Sequence, residues 1–380
     1  MLRFLTAGES HGPGLTAILE GLPPGVKVSV DELAAEQARR RWCYGRGGRA
    51  SIERDEIEIT GGVHGGMTTG APVSVWIPNR DYPNWRGVEC PVWTPRPGHA
   101  DLAGALKYGF TDVRPVIERA SARETAARVA CGYFAKKLLA SGGISVVSWV
   151  SGIGDVEASL PLLEERMHDA GLVLALASAA LGSPVRCPDP DGSQDMVRAI
   201  DAARENGDTL GGVFEAAATG VPPGLGSYVQ WDRRLDASIS AAVMSINGVK
   251  AVEIGEGFAL ARKSGRQTHD AILPGLRRAS NRAGGIEGGV SNGEVIFVRA
   301  AHKPLPMLGS PLPSVDLRTG AGCAAHKERS DVCSVGCAAV VAESMLALAI
   351  AAAWLERFGH DDVHGRDALH ARSLNLRQKS

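Results

Sequence analysis

The stretch GLPPGV, Gly21 to Val26, returns as GVPPGL, Gly220 to Leu225, and the architecture depends on how that echo is read. Each copy leads through a short extended stretch into a helix that begins near an aspartate, Asp31 in the first and Asp236 in the second. Two unrelated turns would explain the letters, since Pro-Pro-Gly is turn chemistry by itself. Two similar halves would explain them as well. On the second reading each half supplies a mainly antiparallel sheet, with the helices stacked in the middle. No low-complexity linker separates the halves, so the chain reads as one α+β domain over 1–363. The remainder, 364–380, is a basic, polar, glycine-poor tail expected to fray or to dock on a partner subunit.

Outward from the echo, 47 glycines and 21 prolines make the chain rich in turns, and few segments carry a clear helical pattern. One helix is expected over 31–41, opened by Ser29 with Glu32 three residues on as a capping box. A second is expected over 121–140, closed by Gly142 and Gly143. The third, 338–355, is rich in alanine and interrupted by Glu343 and Ser344, which reads as a buried helix packed closely on its neighbours rather than a membrane span. Strands are expected over 56–60, 73–77 and 145–150, and over 294–300 after the Asn292-Gly293 turn signal.

Composition narrows the function classes. Of 380 residues, 44% are apolar and 22% charged, a globular balance. With 41 basic and 42 acidic side chains, no overall field recruits nucleic acid or an acidic membrane, and any anion site must be local. The N-terminal MLRFLTAGESHG lacks the apolar segment of a secretory signal. Seven cysteines, an odd number, argue against a disulfide framework and fit a cytoplasmic location. Cys333 and Cys337 lie near His326 but lack a second closely spaced pair, so no metal is expected.

GESHG, Gly8 to Gly12, spells the G-x-S-x-G elbow of serine hydrolases around Ser10. An elbow needs a loop upstream to donate to the oxyanion and a helix downstream. Only seven residues precede Gly8, and Pro13 and Gly14 break any helix that would follow. The histidines are better candidates: His11 and His99 each lie among glycines or prolines that let a ligand approach closely, while His64, in GGVHGG, stays undecided. Arg39, Arg40 and Arg41 end a helix, where cations favour the dipole, but the arginines of YGRGGR, 44–49, have no such structural reason and form an anion site. Arg114, Arg119 and Arg123 repeat the theme around a helix start. Histidines titrating near neutrality beside many arginines point to chemistry on a multiply anionic substrate. The glycine-rich VEIGEGF and SNRAGGIEGGVSNGE do not complete a dinucleotide-binding fingerprint between a strand and a helix.

In order along the chain, TAGESHG, RRR with YGRGGR, RPGHADLAGALKYG, RASARETAARVACG, GDTLGG, VPPGLGSYVQWDRRLDA, MSINGVKAVEIGEGF, NRAGGIEGGVSNGE, AAHKPLPML and ERSDVC resemble the chorismate synthase family, from residue 1 to about residue 360. The resemblance implies a single-domain β-α-β sandwich of two antiparallel sheets enclosing central helices, usually a homotetramer. It implies a lyase that eliminates phosphate from 5-enolpyruvylshikimate 3-phosphate in an anti-1,4 sense, giving chorismate with no net redox change. It further implies reduced FMN as cofactor, because the hydrogen lost is not acidic and no side-chain base removes it readily.

Residue by residue, the resemblance makes His11 the acid for the departing phosphate and His99 the group that stabilises or protonates the reduced flavin. Asp331 assists proton movement at the flavin, with Ser10 as a hydrogen-bonding relay. Arg40 and Arg46 fall on phosphate- or NADP-binding positions and Arg123 on a substrate contact. The flavin contacts implied are Arg119, Ala120, Ser121, Asn247, Gly248, Gly288, Lys303, Pro304, Leu305, Pro306, Met307 and Arg329. The chain departs from the family pattern at Trp42 and Cys43, at Gly248 where alanine is commoner, at Met307, and at Gly336-Cys337 where Pro-Ala is frequent. None of these removes a charged or proton-transferring group. The long insertions of family members that reduce flavin with NADPH are not evident, which favours an external flavin reductase. The competing readings are a serine hydrolase using Ser10 and a non-catalytic flavin or nucleotide-phosphate binder.

Overall fold

The computed structural model describes residues 2–47, 57–328 and 331–359. The first half contains strands β1 (Arg3–Gly8) and β2 (Gly14–Glu20), helix α1 (Val30–Arg41), strands β3 (Glu58–Gly61) and β4 (Val73–Pro78), and helices α2 (Asp101–Tyr108), α3 (Arg114–Ala120) and α4 (Thr125–Ser141). The second contains β5 (Ser145–Ile153), β6 (Val156–Glu157), α5 (Ala170–Leu181), α6 (Pro190–Glu205), β7 (Gly212–Thr219), α7 (Leu235–Met244), β8 (Val249–Ile254), β9 (Ile296–His302) and α8 (Val335–Phe358).

Both main sheets are antiparallel throughout, in the orders β1-β2-β4-β3 and β5-β7-β9-β8, with β6 added beside β5 in the second. The two orders correspond strand for strand. In each half the Pro-Pro-Gly segment follows the second main-sheet strand and precedes a helix, and a long helix follows the fourth. The echo is also stitched in the same way twice. The Thr68 hydroxyl donates to the Pro23 carbonyl at 2.6 Å and accepts from the Val26 amide at 2.9 Å. The Ser291 hydroxyl donates to the Pro222 carbonyl at 2.6 Å and accepts from the Leu225 amide at 2.8 Å. One hydroxyl thus satisfies the donor and the acceptor that proline and the turn take out of the sheet ladder, at equivalent positions of both copies. Two unrelated turns would not share that clamp.

Helix α4 packs on β2 and β4, α8 packs on β5 and β7, and α4 and α8 pack against each other. Gly132 makes their approach possible, because a Cβ there would lie 2.3 Å from the Ser344 Cβ. The apolar residues between the layers include Phe134, Leu138, Leu139, Phe214, Ile350 and Trp354, all fully buried; burying each such side chain stabilises the fold by about 1.5–3 kcal/mol. Glu343, the charge that interrupts α8, is buried in a cationic cage. Arg39 grips both its oxygens at 2.8 and 2.9 Å and Lys136 donates at 2.8 Å. Burial alone would raise the Glu343 carboxyl, but Lys136 and Arg39 hold it well below the usual carboxylate range. Helix α8 is long and apolar enough to cross a membrane, yet 89% of its most apolar stretch is buried inside the protein.

Three local expectations change. The capping box of α1 does not form: Tyr133 accepts from the Ser29 amide at 2.7 Å and donates to Glu32 at 2.8 Å, so a tertiary hydroxyl stands between the two residues. The helix expected over 121–140 starts at Thr125, because Ser121 adopts an extended backbone and its side chain accepts from the Arg123 amide. Helix α6 was not expected, although Met196, Ile200 and Ala203 form a buried stripe at helical spacing; Asp189 caps it and Pro190 opens it. The tail 364–380 lies outside the described residues.

Candidate active site

GESHG is the loop between β1 and β2, and its backbone is pinned from three sides. The Ser10 amide donates to the Glu118 carbonyl at 3.2 Å, and Asn79 donates to the Gly12 carbonyl at 2.9 Å. Glu118, on α3, accepts the His11 amide through Oε2 and meets the His11 ring at Nδ1 through Oε1, both at 2.7 Å. The imidazole lies on Trp85, with ring centroids 3.9 Å apart. Burial works to raise the Glu118 carboxyl, and the hydrogen bonds from His11 outweigh it and hold it low. Beyond Glu118, Arg114 bridges to Glu328 at 2.7 Å. The hydrogen bond from His326 and the Arg114 charge lower Glu328 to about 2.

His99 has a matching arrangement. Its Nδ1 hydrogen-bonds the fully buried Asp101, two residues along at the start of α2. Arg96 donates to Asp101 at 2.7 and 3.0 Å. Burial would raise Asp101, but His99 and Arg96 keep it well below the ordinary range. A carboxylate on Nδ1 fixes ring orientation and tautomer, and Arg96 Nη2 lies 3.1 Å from Nδ1 and 3.4 Å from Nε2.

Ser10, His11, His99 and Asp331 line one cavity of about 200 Å³. Arg40, Arg46, Arg96 and Arg123 line it too, with Ser121 on one side and Leu305, Pro306 and Met307 on another. Arg40 is buried and donates to Thr125 at 3.4 Å. Arg46 pairs with Asp331 at 3.2 Å, and Asp331 also accepts the Gly47 amide at 2.7 Å, which holds the YGRG loop over the pocket. Ser121 donates to Ser10 at 3.0 Å. A larger cavity of about 710 Å³, bounded by Leu2, Phe4, Ala242 and Met345, gathers none of the expected site residues.

The other expected flavin positions lie outside this cavity lining. Arg119 turns to Thr6, donating to its hydroxyl at 2.8 Å. Ala120, Asn247, Gly248 and Lys303 form a stitched strip: Asn247 donates to the Ala120 carbonyl at 3.0 Å, and the Lys303 amide to the Gly248 carbonyl at 2.9 Å. The Lys303 ammonium closes the strip on the Gly98 carbonyl, next to His99. Gly248 has φ 85°, and a Cβ there would meet the His302 ring at 2.5 Å, which explains the glycine. Pro304 is exposed at the entrance to the 305–307 wall. Gly288 sits apart, in the hairpin of Ile286–Glu287 and Val290–Ser291. Arg329 lies outside the described residues. Among the described residues no cluster of three or more His, Cys, Asp or Glu could hold a metal ion.

Sequence reading missed Glu118, Asp101, Arg96 and Trp85. Asp101 was within reach, because it stands two residues after His99 in the quoted RPGHAD. Glu118 was not, since 107 residues separate it from His11.

The geometry defines an anion-handling enzyme site: guanidiniums around a small cavity, with two carboxylate-anchored imidazoles on its wall. The comparisons with known proteins give that class its family. The family model described as chorismate synthase matches residues 2–355. A chorismate synthase of Salinispora tropica is 51% identical, with 96% of both chains covered. One of Desulforudis audaxviator is 52% identical over 96% of this chain and 95% of its own. A solved chorismate synthase structure superposes with a TM-score of 0.83 at 40% identity, covering 100% of this chain and 99% of its own. The chain belongs to the chorismate synthase family. Its activity is the family's, a carbon–oxygen lyase reaction of the shikimate pathway to aromatic compounds.

Proposed function

We propose that the arginine-walled cavity eliminates phosphate from 5-enolpyruvylshikimate 3-phosphate in an anti-1,4 sense. The observation that carries this reading is the convergence of Arg40, Arg46 and Arg123 with the anchored His11 on one cavity. Guanidinium forks hold the phosphate and carboxylate groups of the substrate. His11, oriented by Glu118, gives its proton to the departing phosphate, and the ionised Glu118 stabilises the imidazolium before that transfer. His99, backed by Asp101, serves the proton needs of the cofactor side. Asp331 positions Arg46 and takes part in proton movement, and Ser10 relays through Ser121.

The residues present fit a flavin. Asn247 Oδ1 is buried with no hydrogen-bond partner among the described residues, beside the Ala120 carbonyl. Leu305, Pro306 and Met307 offer an apolar wall, and a Cβ on Gly288 would meet nothing within 4 Å. Ser121 and the strip from Ala120 to Lys303 would hold reduced FMN, with Arg119 next to Ala120 in sequence and Arg329 two residues before Asp331. When bound it would lend electron density to the substrate ring as phosphate leaves and would accept the hydrogen lost. NADPH is the ultimate reductant in this reading, through an external flavin reductase.

The architecture in this reading is one domain over 1–363, a β-α-β sandwich with pseudo-two-fold halves, in a cytoplasmic homotetramer. Tyr228, Val229 and Trp231, each at least 70% exposed, support burial in an assembly. Anaerobic incubation with reduced FMN and substrate, following phosphate release, tests the activity. Release that requires reduced FMN is expected, and its absence overturns the proposal.

A further inference from the structure

Behind the arginine wall, two thiols with no part in the reaction meet. Cys43 follows α1, Cys337 stands in the first turn of α8, and both are buried. Cys43 Sγ packs against Gly336, the residue before Cys337, and donates to the Tyr44 carbonyl at 3.5 Å. Gly336 makes room for them, because a Cβ there would lie 2.7 Å from Cys43 Sγ and 3.4 Å from the Arg186 side chain. Positive charge surrounds the pair. Arg46 Nη1 is 3.9 Å from Cys337 Sγ. Arg186, buried at φ 62°, has no hydrogen-bond partner on Nε among the described residues.

We propose that Cys43 and Cys337 are an oxidisable pair that closes an intrachain disulfide behind the pocket and shifts Arg46. The neighbouring Cys43 side chain and the Arg46 charge bring the Cys337 thiol down against burial, while Cys337 and burial push Cys43 up. The lowered thiol, Cys337, is the more nucleophilic of the two. The oxidant is hydrogen peroxide. Cys337 sulfur attacks it, an S–O bond forms, the O–O bond breaks and hydroxide leaves. The Cys43 sulfur then attacks the sulfenic acid, an S–S bond forms, the S–O bond breaks and water leaves. Two thiols lose two protons and two electrons, and the peroxide becomes two waters. Access is short, because Arg46 touches Cys337 on one side and lines the cavity on the other.

The disulfide removes the thiol that faces Arg46 and draws the 43–47 loop toward α8. That loop carries the Arg46–Asp331 pair and the Gly47 amide that binds Asp331. Oxidation therefore disturbs the anion wall without touching His11 or His99. A third thiol, Cys333, is pushed up to about 12 by burial, so it stays protonated and is the slower partner.

The test treats the full chain with hydrogen peroxide, blocks free thiols and reads masses without reduction, independently of any activity. The expected result is a loss of about 2 mass units from the two hydrogens, a peptide cross-link joining Cys43 and Cys337, and reversal by dithiothreitol. Phosphate release should fall several-fold with the cross-link and return with it. Cys337→Ala, which places the residue common in the family, should turn over normally, form no cross-link and resist peroxide; Cys333→Ala should behave as the parent. No mass loss, a cross-link that runs to Cys333, or peroxide inactivation of Cys337→Ala equal to that of the parent overturns the proposal.

Discussion

Glu118 holds His11 twice, accepting its backbone amide on one oxygen and meeting its ring nitrogen with the other, each at 2.7 Å. The carboxylate therefore fixes both where the GESHG loop lies and how the imidazole points. Glu118→Gln keeps the shape and one hydrogen bond but removes the charge that stabilises the imidazolium. The expected result is a kcat lowered about 10–100-fold with KM little changed. His11→Ala should cost more, about 100–10,000-fold. Steady-state phosphate release separates the two parameters, and a change confined to KM would count against the positioning role.

Ser10 is buried and paired with Ser121. Ser10→Ala should slow turnover only by about 3–10-fold, the loss of one hydrogen bond. Acid-quenched turnover of the parent should show no substrate-derived mass on the chain, and a serine-directed phosphonate should not inhibit. A trapped adduct on Ser10 would restore the hydrolase reading.

Removing the charge at Glu343 leaves Arg39 and Lys136 facing each other in the helix layer. Glu343→Gln should destabilise the fold by about 3 kcal/mol at pH 7. The sign with pH follows from the carboxyl's depressed value in the folded chain. Its contribution is complete above the unfolded-state value of about 4.3 and is lost as pH falls below it. Urea midpoints of parent and variant should thus differ most at neutral pH and converge in acid.

Gly132→Ala places a methyl group where the Ser344 side chain already is. Helix propensity favours alanine, but the overlap between α4 and α8 should win, destabilising by about 1–3 kcal/mol. Chemical denaturation with an unchanged m-value checks this, and a stabilised variant would mean that the two helices separate easily.

Much of the pocket was legible beforehand because its residues sit in unusual local settings. His11 and His99 among glycines, and Arg46 in a glycine loop, stand out without any fold. The partners that make them useful do not. Nothing local marks Glu118 as the anchor of His11, or Ser121 as a helix break rather than a helix start. That break lies in the extended Ser121 backbone, where α3 ends and the hydroxyl caps the following turn by accepting from the Arg123 amide. Tyr133 likewise displaces the capping box of α1, a tertiary hydroxyl outcompeting a local one.

By itself the sequence determined the helices near 31–41 and 338–355, the strands near 73–77 and 145–150, the buried character of the alanine-rich helix and the paired Pro-Pro-Gly turns, since periodicity and turn chemistry act over a few residues. Only the tertiary structure decided that Thr68 and Ser291 clamp those turns identically, that Arg39 serves the core while Arg40 faces the pocket, and that Arg46 meets Cys337. Each of those pairings joins residues distant in the chain. Folding brings them within hydrogen-bond distance through the packing of sheets and helices, and no local pattern encodes that approach.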